Sequence, residues 1–173
     1  MSSFASQMNA PWEKGEVIDL ETWSRRAHYA FFASMAQPFY ALTFPVDVTR
    51  LRAFCRARAL PFYPAMVFAA VKSMERVDAF LYRDREGVIV RHRRLVPSFT
   101  DLKAGSTLFH IVTLEAGEDL ADFCRRARAQ SEAQTEFLTA GPWEPDQEVY
   151  FTCLPWFPLT ALTNERDGNP SDT

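Results

Sequence analysis

The apolar positions of the chain fall into short blocks, each with its own period. Ala27, Phe31 and Met35 recur every four residues with Ala30 and Phe32 beside them, which predicts a helix over 23–35 capped by Asp19 or Thr22. Phe39 to Val46 is dense in aromatic and β-branched residues and reads as a strand, with Pro45 pointing to an edge or a strand end. Leu51, Phe54, Cys55 and Arg58 trace a helical stripe that starts behind Asp47 or Thr49 and ends near Ala59. After the break at Pro61-Phe62-Tyr63-Pro64, residues 65–77 are apolar almost all round. A buried helix is expected there, with Pro64 in its first turn, where a missing N–H costs nothing.

Residues 81–85 and 88–93 flank Glu86-Gly87 and read as a hairpin. Two more strands are expected at 96–100 and 107–114. An amphipathic helix is expected over 118–137 through Leu120, Phe123, Cys124 and Ala127. A Pro/Gly-rich loop covers 140–146, and short apolar strands are expected at 149–154 and 159–162. Helices and strands do not alternate regularly, so the pattern predicts an α+β fold, a large sheet with helices packed on one face. Neither standard Gly-rich phosphate loop is present in the sequence.

Composition narrows this picture. The chain has 173 residues, 47% hydrophobic and 24% charged, which fits one soluble globular domain. Residues 1–14 are expected to form a flexible N-terminus, 15–164 the single domain and 165–173 a polar tail. The net charge of -3 lacks the basic footprint that nucleic acid or an anionic membrane surface requires, so neither is expected as a partner. Cys55, Cys124 and Cys153 are widely spaced and odd in number, which predicts reduced thiols and a cytoplasmic location.

The three histidines offer little conventional chemistry. His28, His92 and His110 are not at metal-ligand spacings from one another, so no metal is expected. His28 reads as a structural helix residue with a hydrogen-bond partner, His92 as part of a solvated Arg-His-Arg-Arg strand end with a phosphate contact as the alternative, and His110 as a strand residue facing solvent or another subunit, with a pocket as the alternative. No nucleophile elbow is present. By spacing alone Phe31 and Phe32 are core residues, and Thr152 is a plain strand residue between Phe151 and Cys153.

The order of several short pieces adds to this reading. Trp23-Ser24-Arg25-Arg26-Ala27-His28-Tyr29 with Phe31-Phe32, then Val46-Asp47-Val48-Thr49-Arg50-Leu51, Phe62-Tyr63-Pro64-Ala65-Met66, Val88-Ile89-Val90, Phe99-Thr100 and Leu154-Pro155-Trp156 together resemble the chloramphenicol acetyltransferase family over residues 15–164. The resemblance implies a two-layer sandwich with a large mixed β-sheet, a homotrimer, and acetyl-CoA as acyl donor to the hydroxyl of a small apolar acceptor. It implies that Phe31 and Phe32 line the acceptor pocket, that Ala36 and Pro38 flank it, that Leu102 stands near a family aromatic and that Leu162 closes the far wall. Thr152 would be the hydroxyl that stabilises the developing oxyanion.

The family's general base is a histidine in a His-x-x-x-Asp-Gly motif, and none of the three histidines here is followed four residues later by Asp. The base is therefore expected to lie outside this chain, together with the family's last strands, which would leave open sheet edges and apolar surface. Transfer by these residues alone is expected to be slower by about a hundredfold or more. The alternative is a catalytically inactive relative that serves as a binding or assembly module. Small and aliphatic residues at several pocket positions argue against chloramphenicol itself as acceptor.

Overall fold

The computed structural model describes residues 14–36, 38–156 and 158–160. Leu162, half of the strand expected at 159–162, and both terminal segments fall outside the described residues, except Lys14. The element order is β1 (Glu16–Val17), α1 (Arg26–Ala33), α2 (Thr49–Ala57), α3 (Phe62–Met74), β2 (Tyr82–Arg85), β3 (Val88–Arg91), β4 (Val96–Asp101), β5 (His110–Thr113), α4 (Leu120–Ala133) and β6 (Glu148–Phe151). Short 3-10 turns at Asp78–Leu81 and Pro145–Gln147 precede β2 and β6.

The described strands form two three-stranded sheets. In the first, β3 lies between β1 and β2 and pairs antiparallel with both. In the second, β4 lies between β5, its antiparallel neighbour, and β6, its parallel one. The hairpin expected around Glu86-Gly87 forms, and both turn residues have positive φ (54° and 89°). That is the mirror-image two-residue turn whose twist suits a hairpin.

Helices α3 and α4 cover the second sheet. Phe99 pairs in register with Val112, and Pro97 with Val149, so one face of β4, β5 and β6 is apolar. Phe99, Val112 and Val149 pack with Val67 and Val71 of α3 and with Phe123 and Ala127 of α4. Phe99 meets the rings of Tyr63 and Phe123 at 5.7 and 6.4 Å between centroids. Cys55, Ala65 and Cys124 join α2, α3 and α4 in a second, smaller cluster. On the opposite face of β4, Ser98 and Thr113 are buried and share a 2.8 Å hydrogen bond between their hydroxyls.

Several boundaries differ from the sequence pattern. Residues 39–46 form no strand, because strand composition does not supply a neighbouring edge. Tyr40, Leu42, Phe44 and Val46 are all exposed. Helix α1 is shorter than expected and begins after Arg25; Asp19 instead closes a turn ahead of it by accepting from Glu21 N at 3.0 Å. Helix α3 starts three residues before Ala65, with Pro61 as its cap, and stops at Met74. Only Ala65, Val67 and Val71 of that helix are fully buried, so it is less enclosed than its composition suggests. Strand β5 begins at His110, because Ser106 and Leu108 bond to each other in a turn. Helix α4 ends at Ala133, where Gln134 turns to an extended conformation and its side chain bonds to the Ile111 carbonyl at 2.8 Å.

Candidate functional site

The expected site residues lie in two places. Phe31 and Phe32 project from α1 and are 62% and 52% exposed. Their rings meet edge to face at 5.2 Å. With Ala27 and His28 they line a shallow hollow of about 190 Å³. Ala36 and Pro38, just beyond the helix, are exposed too. Helix α1 is fixed to the first sheet: the Tyr29 hydroxyl donates to Asp84 at 2.8 Å, and Trp23 packs on Tyr82 at 5.2 Å. Burial, aided by Asp84, pushes the Tyr29 hydroxyl up to about 12, so it stays a donor.

Thr152 and Leu102 lie at the end of the second sheet. Thr152 follows β6 directly and is exposed, and Leu102 follows β4 and is half exposed. The parallel register that pairs Phe99 with Phe151 brings Thr100 beside Thr152, with 3.1 Å between their hydroxyl oxygens. The Tyr63 hydroxyl donates to the Phe151 carbonyl oxygen at 3.4 Å. Burial pushes the Tyr63 hydroxyl up to about 12, so it too keeps its proton. Thr100 is absent from the sequence-based site because its contact with Thr152 depends on strand pairing. The alternation of Thr100 with Phe99 was the one local signal.

The histidines differ most from expectation. His92 is fully buried, not a solvated strand end. It lies 3.1 Å from Asp146 Oδ1 through Nε2 and 3.8 Å from Glu144 Oε2 through Nδ1. A carboxylate only accepts, so Nε2 carries the proton and Nδ1 is left without a partner. Burial, and then nearby Arg83, pushes the imidazole below its ordinary value, against the pull of Asp146 and Glu144. His110 is buried as well, 3.0 Å from the Ser131 hydroxyl on α4, and faces neither solvent nor another subunit. His28 is exposed and lines the hollow.

Around His92 the loop that was read as merely Pro/Gly-rich forms an ionic cluster. Arg85 binds both Asp146 oxygens, at 2.6 and 2.8 Å, and reaches Glu144 at 3.2 Å. The Arg83 Nε donates to the Asp146 carbonyl at 2.6 Å. Glu144 also accepts from Gly15 N at 2.9 Å, which ties the start of β1 to the cluster. That bond, followed by Arg85 and His92, keeps the Glu144 carboxyl below its ordinary value despite some burial. Burial works to raise Asp146, but Arg85 and His92 outweigh it and hold the carboxyl low. His92, Glu144 and Asp146 have metal-like proximity, with ligand atoms within 4.8 Å of one another. Both carboxylates of this group are also paired with Arg85.

No helix among the described residues is long and apolar enough to cross a membrane. Comparison with known proteins gives a consistent result. The family model "Chloramphenicol acetyltransferase" matches residues 14–169. The chain is 23% identical to chloramphenicol acetyltransferase 2 of Escherichia coli over 155 residues, which are 88% of this chain and 72% of that protein. It is 28% identical to the chloramphenicol acetyltransferase of Streptomyces acrimycini over 166 residues, 93% of this chain and 75% of that one. A solved chloramphenicol acetyltransferase superposes with a TM-score of 0.76 at 21% identity, covering 91% of this chain and 78% of that chain.

Proposed function

Because the chain belongs to the chloramphenicol acetyltransferase family, we propose that it supplies the acceptor wall and the oxyanion-stabilising hydroxyl of a CoA-dependent O-acetyltransferase. The observation that carries this reading is Thr152: an exposed hydroxyl at a strand end, held by a second hydroxyl on the neighbouring strand. In the reaction the acceptor oxygen attacks the thioester carbon of acetyl-CoA. A C–O bond forms, the carbonyl oxygen becomes an oxyanion, and Thr152 donates its O–H to that oxygen. Collapse breaks the C–S bond. The acceptor's proton passes to the general base and then to the departing CoA sulfur.

The base lies outside the histidines of this chain in the same reading. His92 and His110 are buried and engaged, and His28 sits in the hollow of α1. Phe31 and Phe32, flanked by Ala36 and Pro38, receive the apolar part of a small hydroxyl acceptor. Leu102 borders the site on the side of Thr152, and the far wall falls to Leu162 by family resemblance alone. The α1 hollow is tied to one sheet and Thr152 to the other, which supports a cleft completed between copies in a homotrimer. Exposed Tyr40, Leu42, Phe44 and Val46 also favour assembly, and a catalytically inactive assembly module is the second reading.

The test is thiol release from acetyl-CoA with small hydroxyl acceptors, chloramphenicol among them, with imidazole supplied as external base. Turnover is expected and Thr152→Ala lowers it by about a hundredfold, the usual effect of losing an oxyanion donor. No release above the protein-free background, or release indifferent to Thr152→Ala, refutes the reading.

A further inference from the structure

Thr152 can stabilise an oxyanion only while its proton points toward the thioester. A threonine hydroxyl has one O–H and can rotate it. The 3.1 Å contact with Thr100 is symmetric in its atoms, so either oxygen can be the donor. If Thr152 donated to Thr100, its proton would be withdrawn from the reacting oxygen and its lone pairs would face the developing negative charge. The direction of this bond therefore decides whether Thr152 helps or hinders.

We propose that Thr100 is a positioning residue whose O–H donates to Thr152 Oγ1 and so leaves the Thr152 proton free for the oxyanion; the role rests on the functional reading above. Three observations carry it. The register of β4 and β6 places the two hydroxyls side by side, and the backbone of both strands holds them there. Thr100 is the less exposed of the two, so its hydroxyl has fewer competing water partners. The Tyr63 hydroxyl donates to the Phe151 carbonyl at 3.4 Å, which holds the end of β6 beside Thr100. Tyr63 comes from α3 and is fixed by its edge-to-face contact with Phe99.

The experiment uses the 173-residue chain in the imidazole-supplied thiol-release assay, with kcat and KM for acetyl-CoA measured separately. Thr100→Val removes the donor at nearly constant shape. It is expected to lower kcat about tenfold, the rate equivalent of one neutral hydrogen bond, with KM unchanged. Thr100→Ser keeps the hydroxyl and is expected to recover most of the loss. In a Thr152→Ala background the Thr100→Val change is expected to have no further effect, because the group it orients is gone.

Thermal unfolding of each variant establishes that the fold persists. A Thr100→Val rate equal to the parent's, or an undiminished loss in the Thr152→Ala background, overturns the positioning role while the acetyl-transfer reading stands. A parent rate that does not respond to Thr152→Ala, or no parent turnover at all, overturns both.

Discussion

Replacing Asp146 by asparagine keeps the side chain's shape and removes its charge. The carboxylate takes two short bonds from Arg85 and one from His92 Nε2, and it is 15% exposed beside an Arg85 that is 37% exposed. Breaking a fully buried ion pair costs about 3–5 kcal/mol. Partial exposure of Arg85, and its second partner Glu144, reduce this, so a loss of about 2 kcal/mol is expected. For a chain of this size that lowers the thermal midpoint by about 4–8 °C.

The pH dependence carries a sign. Asp146 is held below its ordinary value in the folded protein, so its contribution is complete above the ordinary carboxylate range. It is lost as pH falls through the folded value. Thermal unfolding followed by circular dichroism, from pH 7 down to pH 3, should show Asp146→Asn less stable at neutral pH and converging on the parent in acid. A variant within about 0.5 kcal/mol of the parent at pH 7, where ordinary surface substitutions fall, would refute the view that this cluster stabilises the fold. A gap of constant size across the range would refute its electrostatic origin.

The Ser98–Thr113 pair tests a different cost. Ser98→Ala or Thr113→Val alone strands a buried hydroxyl and should lose about 1–3 kcal/mol in urea unfolding, whereas the double substitution should lose clearly less than the sum of the two. Glu86 has φ 54° in a turn that favours Asn-Gly, so Glu86→Asn should raise stability by about 0.5–1 kcal/mol in the same assay.

How much of this was readable in the sequence depended on how local each cause was. The Glu86-Gly87 turn and the stripes of α2 and α4 rest on neighbours within a few residues, and the hairpin and both helices formed with boundaries shifted by a few positions. The α+β class followed from the same patterns. The histidines were misread because their partners come from far along the chain: Asp146 is 54 residues beyond His92, and Ser131 is 21 beyond His110. No window around Arg91-His92-Arg93-Arg94 shows that a loop returns to cover it. Residues 39–46 had the composition of a strand, but pairing is a property of two segments. Phe31, Phe32 and Thr152 were reached through family resemblance, whereas Thr100 became visible only with the parallel register of β4 and β6.

The run from Tyr40 to Val46 sets Tyr40, Leu42, Phe44 and Val46 in water, where each carries an unfavourable hydration cost. Any association that covers them stabilises only the folded protomer, so fold stability and protein concentration become linked. In an assembly that buries this run, dilution would act as a mild denaturant.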